Sequence, residues 1–135
     1  MSPTTFEEWI ELANERSADA HALLIQRQNS VGPIYLAGYA VECMLKAYLQ
    51  KQGIAFPRSG REGHDLRNLW HQAGFRLADL GDSAGEKSFF VTSWSTDLRY
   101  AARIEIDFTS EALVRGSAHL VSWIQTRLRR RGRRT

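Results

Sequence analysis

A chain of 135 residues is long enough for one hydrophobic core and too short for two, and 43% hydrophobic residues with four Trp, four Tyr and six Phe exclude a disordered chain. The net charge of +3 is unevenly placed: Arg127, Arg129, Arg130, Arg131, Arg133 and Arg134 fall in the last nine residues, and without them 12 basic face 15 acidic side chains. A mildly acidic body argues against whole-surface nucleic-acid binding and leaves the tail to attract RNA, DNA or anionic lipid.

The first helix opens on a capping box, Thr5-x-x-Glu8. Phe6, Ile10, Ala13, Ser17, Ala20 and Leu24 then trace one stripe with Trp9 at its edge, and the helix is expected to end near Asn29. Ser30 and Pro33 suit a second helix start, and Gly53 supplies a stop near Gln52. Within it, Leu36, Ala40, Cys43 and Ala47 form one apolar face and Val41, Leu45 and Leu49 another. A helix apolar on two sides belongs at the centre of a bundle or at a subunit interface. Between its faces runs a strip with polar ends, Tyr35, Tyr39, Glu42 and Lys46. Glu42 and Lys46 are either an exposed i,i+4 pair worth a few tenths of a kcal/mol or part of an interface or ligand cleft. The small residues Ala37, Gly38 and Ala40 would admit a neighbouring backbone.

Residues 54–63 read as a loop, with Pro57, Gly60 and Gly63. Asp65 can cap a short helix that buries Leu66, Leu69, Trp70 and Ala73 and ends at Gly74. The signal is poor from there to Gly85, and a fourth helix is expected from Glu86 to about Trp94. Ile104, Ile106 and Phe108 alternate with charges, which fits a short extended segment or a loop pinned by those side chains. Thr109 or Ser110 caps a last long helix with the stripe Ala112, Leu113, Gly116, Leu120, Trp123 and Ile124. The expected fold is all-α, an antiparallel bundle of about five helices without significant sheet. Residues 1–126 form a single helical domain and 127–135 a tail.

The run YLAGYAVECMLKAYL, then His64-Asp65-Leu66, then Trp94 and Leu98-Arg99-Tyr100, resembles the HEPN domain over roughly residues 5 to 125. The resemblance implies a small helical bundle, usually dimeric, of a family that commonly cleaves or binds RNA. Its members often pair with a minimal nucleotidyltransferase in toxin–antitoxin modules. Active members carry an arginine, usually followed by a polar residue, and a histidine after about four to six intervening positions. Such a pair suits metal-independent RNA cleavage, because histidine moves protons near neutral pH and arginine stabilises the charged transition state. That spacing is missing here: Arg67–His71 and Arg115–His119 have three intervening residues, Arg61–His64 has two, and after Arg99 no histidine precedes His119. The departure speaks against ribonuclease activity.

Arg115 and His119 remain the candidate catalytic pair by position; otherwise they are a surface arginine and a partly buried histidine. By resemblance Arg99 and Tyr100 would contact phosphate or nucleotide with Trp94 as packing support, unless Arg99 pairs with Asp97 or Glu105. His64 can donate a hydrogen bond to Glu42 or to a backbone carbonyl. With Asp65, Glu42 and Lys46 it completes the candidate ligand-binding set. The arginine tail is an RNA-binding arm or a solubilising end.

Four histidines without ligand spacing give no reason to expect a metal, and no glycine-rich phosphate loop suggests a cofactor. The lone Cys43 lies on an apolar face, which fits a reducing cytosol and an inert thiol. Without a basic, apolar leader or a membrane-length apolar run, the expected location is the cytoplasm. The sequence thus supports a HEPN-like homodimer that binds RNA, a nucleotide or a nucleotidyltransferase partner. The alternative is a non-catalytic helical assembly module without a nucleic-acid ligand.

Overall fold

A computed structural model describes residues 2–58, 60–104 and 106–132, the last two of these by their backbone alone. Among them are six α-helices, two 3-10 turns and no strand.

Helix α1 (Phe6–Gln26) starts where the capping box demands. Glu8 N–H donates to Thr5 Oγ1 at 3.2 Å, and Glu8 Oε1 accepts from Thr5 N–H at 3.1 Å. It stops three residues before Asn29 because Arg27 leaves helical geometry. A polar turn follows, in which Ser30 N–H donates to Arg27 O and Ser30 Oγ accepts from Gly32 N–H.

Helix α2 (Gly32–Lys51) is the central element and is buried without interruption from Ala40 to Leu49. Its two apolar faces are covered within one chain, chiefly by α1 and by α6 (Ser110–Gly132). Of the two places expected for such a helix, α2 occupies the centre of the bundle. Gly38 also has a different neighbour from the one expected: a Cβ there would lie 1.9 Å from Cε2 of the Trp94 indole, so the close approach is by a ring and not a helix backbone. Trp94 reaches α2 as a hydrogen-bond donor, Nε1–H to Ile34 O at 3.2 Å.

The region expected to be a loop up to Gly63 contains a one-turn helix, α3 (Gly60–Gly63). Asp65 then caps α4 (Leu66–Gln72), which buries Leu66, Leu69 and Trp70. A 3-10 turn at Leu77–Leu80 occupies part of the stretch without periodicity. Helix α5 (Ser88–Thr92) is shorter at both ends than expected. Asp82 sets its start by accepting from Ser88 N–H at 2.7 Å and Lys87 N–H at 3.1 Å, and the chain turns after Thr92 so that Trp94 can face α2.

Beyond it lies a 3-10 turn, Thr96–Tyr100, followed by irregular chain in which Ile104, Ile106 and Phe108 pack against the core. Of the two expectations there, the pinned loop is the one observed in the described residues. Thr109 Oγ1 caps α6 by accepting from Ala112 N–H. Ser110 and Ser117 donate to Ser30 O and Ala37 O, which locks α6 to the start of α2. Helix α6 does not end at residue 126: it continues through Gly132, and Leu128 belongs to the core.

Candidate ligand cavity and basic groove

Tyr35, Tyr39, Glu42 and Lys46 follow one line along α2 at successive turns. Lys46 Nζ donates to Glu42 Oε2 at 2.9 Å, and His64 Nδ1 lies 2.9 Å from Glu42 Oε1. The pair is not on an exposed edge: Glu42 is 3% and Lys46 1% exposed. His64 reaches Glu42 because α3 crosses the preceding loop closely at Gly63, where a Cβ would lie 2.9 Å from the backbone carbon of Arg58. Asp65 is not part of this cluster. It is exposed and accepts from Asn68 N–H at 3.2 Å as the cap of α4.

The cluster forms one wall of a cavity of about 530 Å³ between α1, α2 and the segment around Arg58. Trp9 and Arg16 enter it from α1, two turns apart on the helix's inner side. Lys46 Nζ sits 5.2 Å from the Trp9 ring centroid. Arg16 Nε lies 3.4 Å from Asp19 Oδ2 without hydrogen-bond geometry. Arg58 donates to Pro3 O and Gln50 Oε1 and stands over the Phe56 ring, with no carboxylate bound to it among the described residues. Cys43 also lines the cavity, but burial and then the Glu42 charge push its thiol up to about 12, so it remains protonated near neutral pH.

A second groove, of about 480 Å³, opens at the N-terminal end of the same strip and is lined by Arg27, Tyr35 and Arg99. The two are joined by the tyrosines, whose hydroxyls are 3.1 Å apart. Burial, reinforced by the bond to Tyr35, pushes the Tyr39 phenol well above its ordinary range, so it stays neutral. Arg99 is exposed, its guanidinium 4.8 Å from the Tyr100 ring centroid, and Tyr100 is 77% exposed. Tyr100 and, more weakly, Tyr35 hold the Arg99 guanidinium above its ordinary value. The Trp94 ring meets the Tyr35 and Tyr39 rings at 6.2 and 5.5 Å, and no ring pair with Tyr100 forms among the described residues. No Arg99–Asp97 ion pair forms among the described residues, and Glu105 lies outside them.

Arg115 and His119 stand one turn apart on α6, and both are exposed. The histidine is thus not partly buried, and neither residue lines the cavity or the groove. Of the tail arginines, Arg127 is held against the protein, 3.3 Å from the Trp123 ring centroid, and burial lowers its guanidinium from the ordinary value. Arg129 and Arg130 are exposed on the last turns of α6, whereas Arg133, Arg134 and the side chain of Arg131 fall outside the described residues.

Sequence reasoning did not include Trp9, Arg16, Arg27 or Arg58 in the site. A signal existed for Arg16: Trp9, Ala13, Arg16 and Ala20 share one helical face, so an arginine interrupts an otherwise inward-facing row. Arg58 gave no such signal, because its place depends on a loop. No protein-family model, no curated protein and no solved structure matches this chain. No helix among the described residues is long and apolar enough to cross a membrane.

Proposed function

We propose that this chain is a HEPN-like helical domain that binds RNA without cutting it and acts beside a partner such as a minimal nucleotidyltransferase, in a stress or toxin–antitoxin setting. The observation that carries the reading is the groove holding Arg27 and Arg99 at the end of the tyrosine strip, with Tyr100 exposed beside it. Two arginines suit successive phosphates, and an exposed tyrosine suits stacking on a base, which is how single-stranded nucleic acid is held without sequence readout. Lack of cleavage follows from the shortened Arg115–His119 spacing and from the separation of both residues from the groove and the cavity. A homodimer belongs to the same proposal, built on the outer side of α6, where two copies of Arg115 and His119 would meet.

The test is fluorescence anisotropy with a short labelled single-stranded RNA over a salt series. Arg27→Gln with Arg99→Gln should weaken binding by ~10-fold or more and reduce the salt slope by about 1.4, the value for two phosphate contacts on a single strand. Ending the chain after Leu128 keeps that core residue and should remove only the nonspecific part of the affinity. Unchanged binding by the double variant refutes the groove. Robust metal-independent cleavage that His119→Ala abolishes refutes the non-cutting reading.

The second reading, an assembly module without nucleic acid, is favoured by Ile25, which is 82% exposed near the end of α1. It predicts no saturable RNA binding and a dimer, seen by light scattering, that Ile25→Lys dissociates.

A further inference from the structure

The cavity between α1 and α2 carries an imbalance that the RNA reading does not use. Glu42 is the one carboxylate lining it among the described residues, and that charge is already matched by Lys46 at 2.9 Å. Arg16 and the exposed Arg58 therefore leave the cavity net positive. Asp19, the only acid within ion-pair distance of Arg16 among the described residues, is on the exposed side of α1 and lacks hydrogen-bond geometry with it.

A second, independent observation concerns Trp9. The residue is 95% buried, being 5% exposed, and lines the cavity, yet its indole N–H has no acceptor among the described residues. A buried donor without a partner is rare in folded proteins; Trp70 Nε1 is another among the described residues, but Trp70 does not line the cavity. The cavity also has apolar walls, Leu12 and Leu36. Its volume of about 530 Å³ falls in the range of small-molecule sites.

We infer that this cavity is a binding site for a small organic anion. A carboxylate or phosphate head group sits against Arg16 and Arg58 beside the Trp9 wall, and an apolar body covers Leu12 and Leu36. The guanidinium groups provide charge-assisted, forked donors for such oxygens. An inorganic anion would leave the apolar wall exposed to water, and a neutral molecule would leave the exposed Arg58 without a counter-charge and Arg16 with Asp19 alone. Glu42 does not repel the anion, because Lys46 and His64 occupy both its oxygens. The site shares no lining residue with the Arg27–Arg99 groove, so either reading can fail alone.

The experiment follows the four indole N–H resonances of the full-length ¹⁵N-labelled protein, with the Trp9 signal assigned by its loss in Trp9→Phe. The probes are benzoate, phenyl phosphate, inorganic phosphate and benzyl alcohol. Benzoate or phenyl phosphate should move the Trp9 resonance saturably, and the one that saturates at lower concentration identifies the head group. Inorganic phosphate should bind ~10-fold more weakly or less, and benzyl alcohol should leave the resonance in place. Arg16→Gln and Arg58→Gln should each raise the dissociation constant by ~10-fold, the loss of one charge-assisted contact, with the rest of the spectrum unchanged. The inference is overturned if no probe moves Trp9 up to about 20 mM, a limit far weaker than any specific site. It is equally overturned if the alcohol binds as well as the anions or if neither arginine variant alters the titration.

Discussion

Gly38→Ala offers a sharp test of the packing beneath the tyrosine strip, because local propensity and tertiary contact predict opposite signs. Alanine in place of a helical glycine ordinarily stabilises by about 1 kcal/mol. Here the added Cβ would lie 1.9 Å from Trp94 Cε2 and 2.0 Å from Nε1. Ordinary carbon contact begins near ~3.5 Å, so the indole must retreat by roughly 1.5 Å. Overpacking of this kind costs about 1–3 kcal/mol. The retreat also breaks the 3.2 Å bond from Nε1–H to Ile34 O in a residue that is 5% exposed. A buried donor left unmade adds about 1–3 kcal/mol. Set against the propensity gain, the net destabilisation is ~1–5 kcal/mol. Urea unfolding followed by far-ultraviolet circular dichroism should show a lower midpoint at unchanged slope. In a Trp94→Ala background the obstruction is gone, and the same glycine substitution should then stabilise by ~1 kcal/mol. A Gly38→Ala protein as stable as the wild type would refute the ring-on-glycine contact.

Lys46→Met should destabilise by ~3–5 kcal/mol in the same assay, because it leaves the Glu42 carboxylate buried with His64 as its remaining partner. Lys46→Met with Glu42→Leu should recover much of that loss, which separates the cost of an orphaned charge from the worth of the pair. Cys43 should resist a thiol-specific disulfide reagent at pH 8 in the folded protein and react at once in urea, since the thiol is 3% exposed and its ionisation is pushed up to about 12. At Asp82, burial pushes the carboxyl up, but the hydrogen bonds from Ser88 and Lys87 outweigh it and hold the group below its ordinary value. A depressed carboxylate contributes stability above its unfolded value and loses it as pH falls through the folded one. Asp82→Asn should therefore be less stable than wild type at pH 7, and the gap should narrow below about pH 4.

What could be read from the sequence was what local rules determine. The cap at Thr5, the cap at Asp65 and the stripes of α1, α2 and α6 each depend on residues within a few turns, and the helices lie where those residues put them. The tyrosine–glutamate–lysine strip was visible for the same reason, since spacing alone aligns it. Its burial was not, because that depends on α1 crossing above it and on a loop bringing His64 from 22 residues away. Trp94 lies 60 residues from the carbonyl it bonds, so nothing near Gly38 announces its ring. The helix α3 is four residues long and begins on Gly60 at φ +73°, a turn that leaves no periodic trace. The extension of α6 beyond residue 126 was obscured by composition. A run of arginines looks like a tail, but it interleaves with Leu128, and the helical spacing from Ile124 takes Leu128 to the core.

The buried Glu42–Lys46–His64 group is hard to account for by stability alone. Removing two charges from water is expensive, and well-packed apolar residues of similar volume often serve a core equally well or better. α2 is otherwise lined with such residues, so a purely structural helix would carry leucine or methionine at these positions. The group does, however, connect the elements that bound the cavity. Lys46 lies against the Trp9 ring and relates α2 to α1. Glu42 holds His64, and Gly63 beside it lets that segment pack against the backbone of Arg58. The same three residues thus orient the aromatic wall and anchor the segment next to the arginine, while their own charges nearly cancel. A wall of this kind is ordered without competing for an anion. Such order suits a binding site, and it also fixes how α1 and the segment around Arg58 pack on α2.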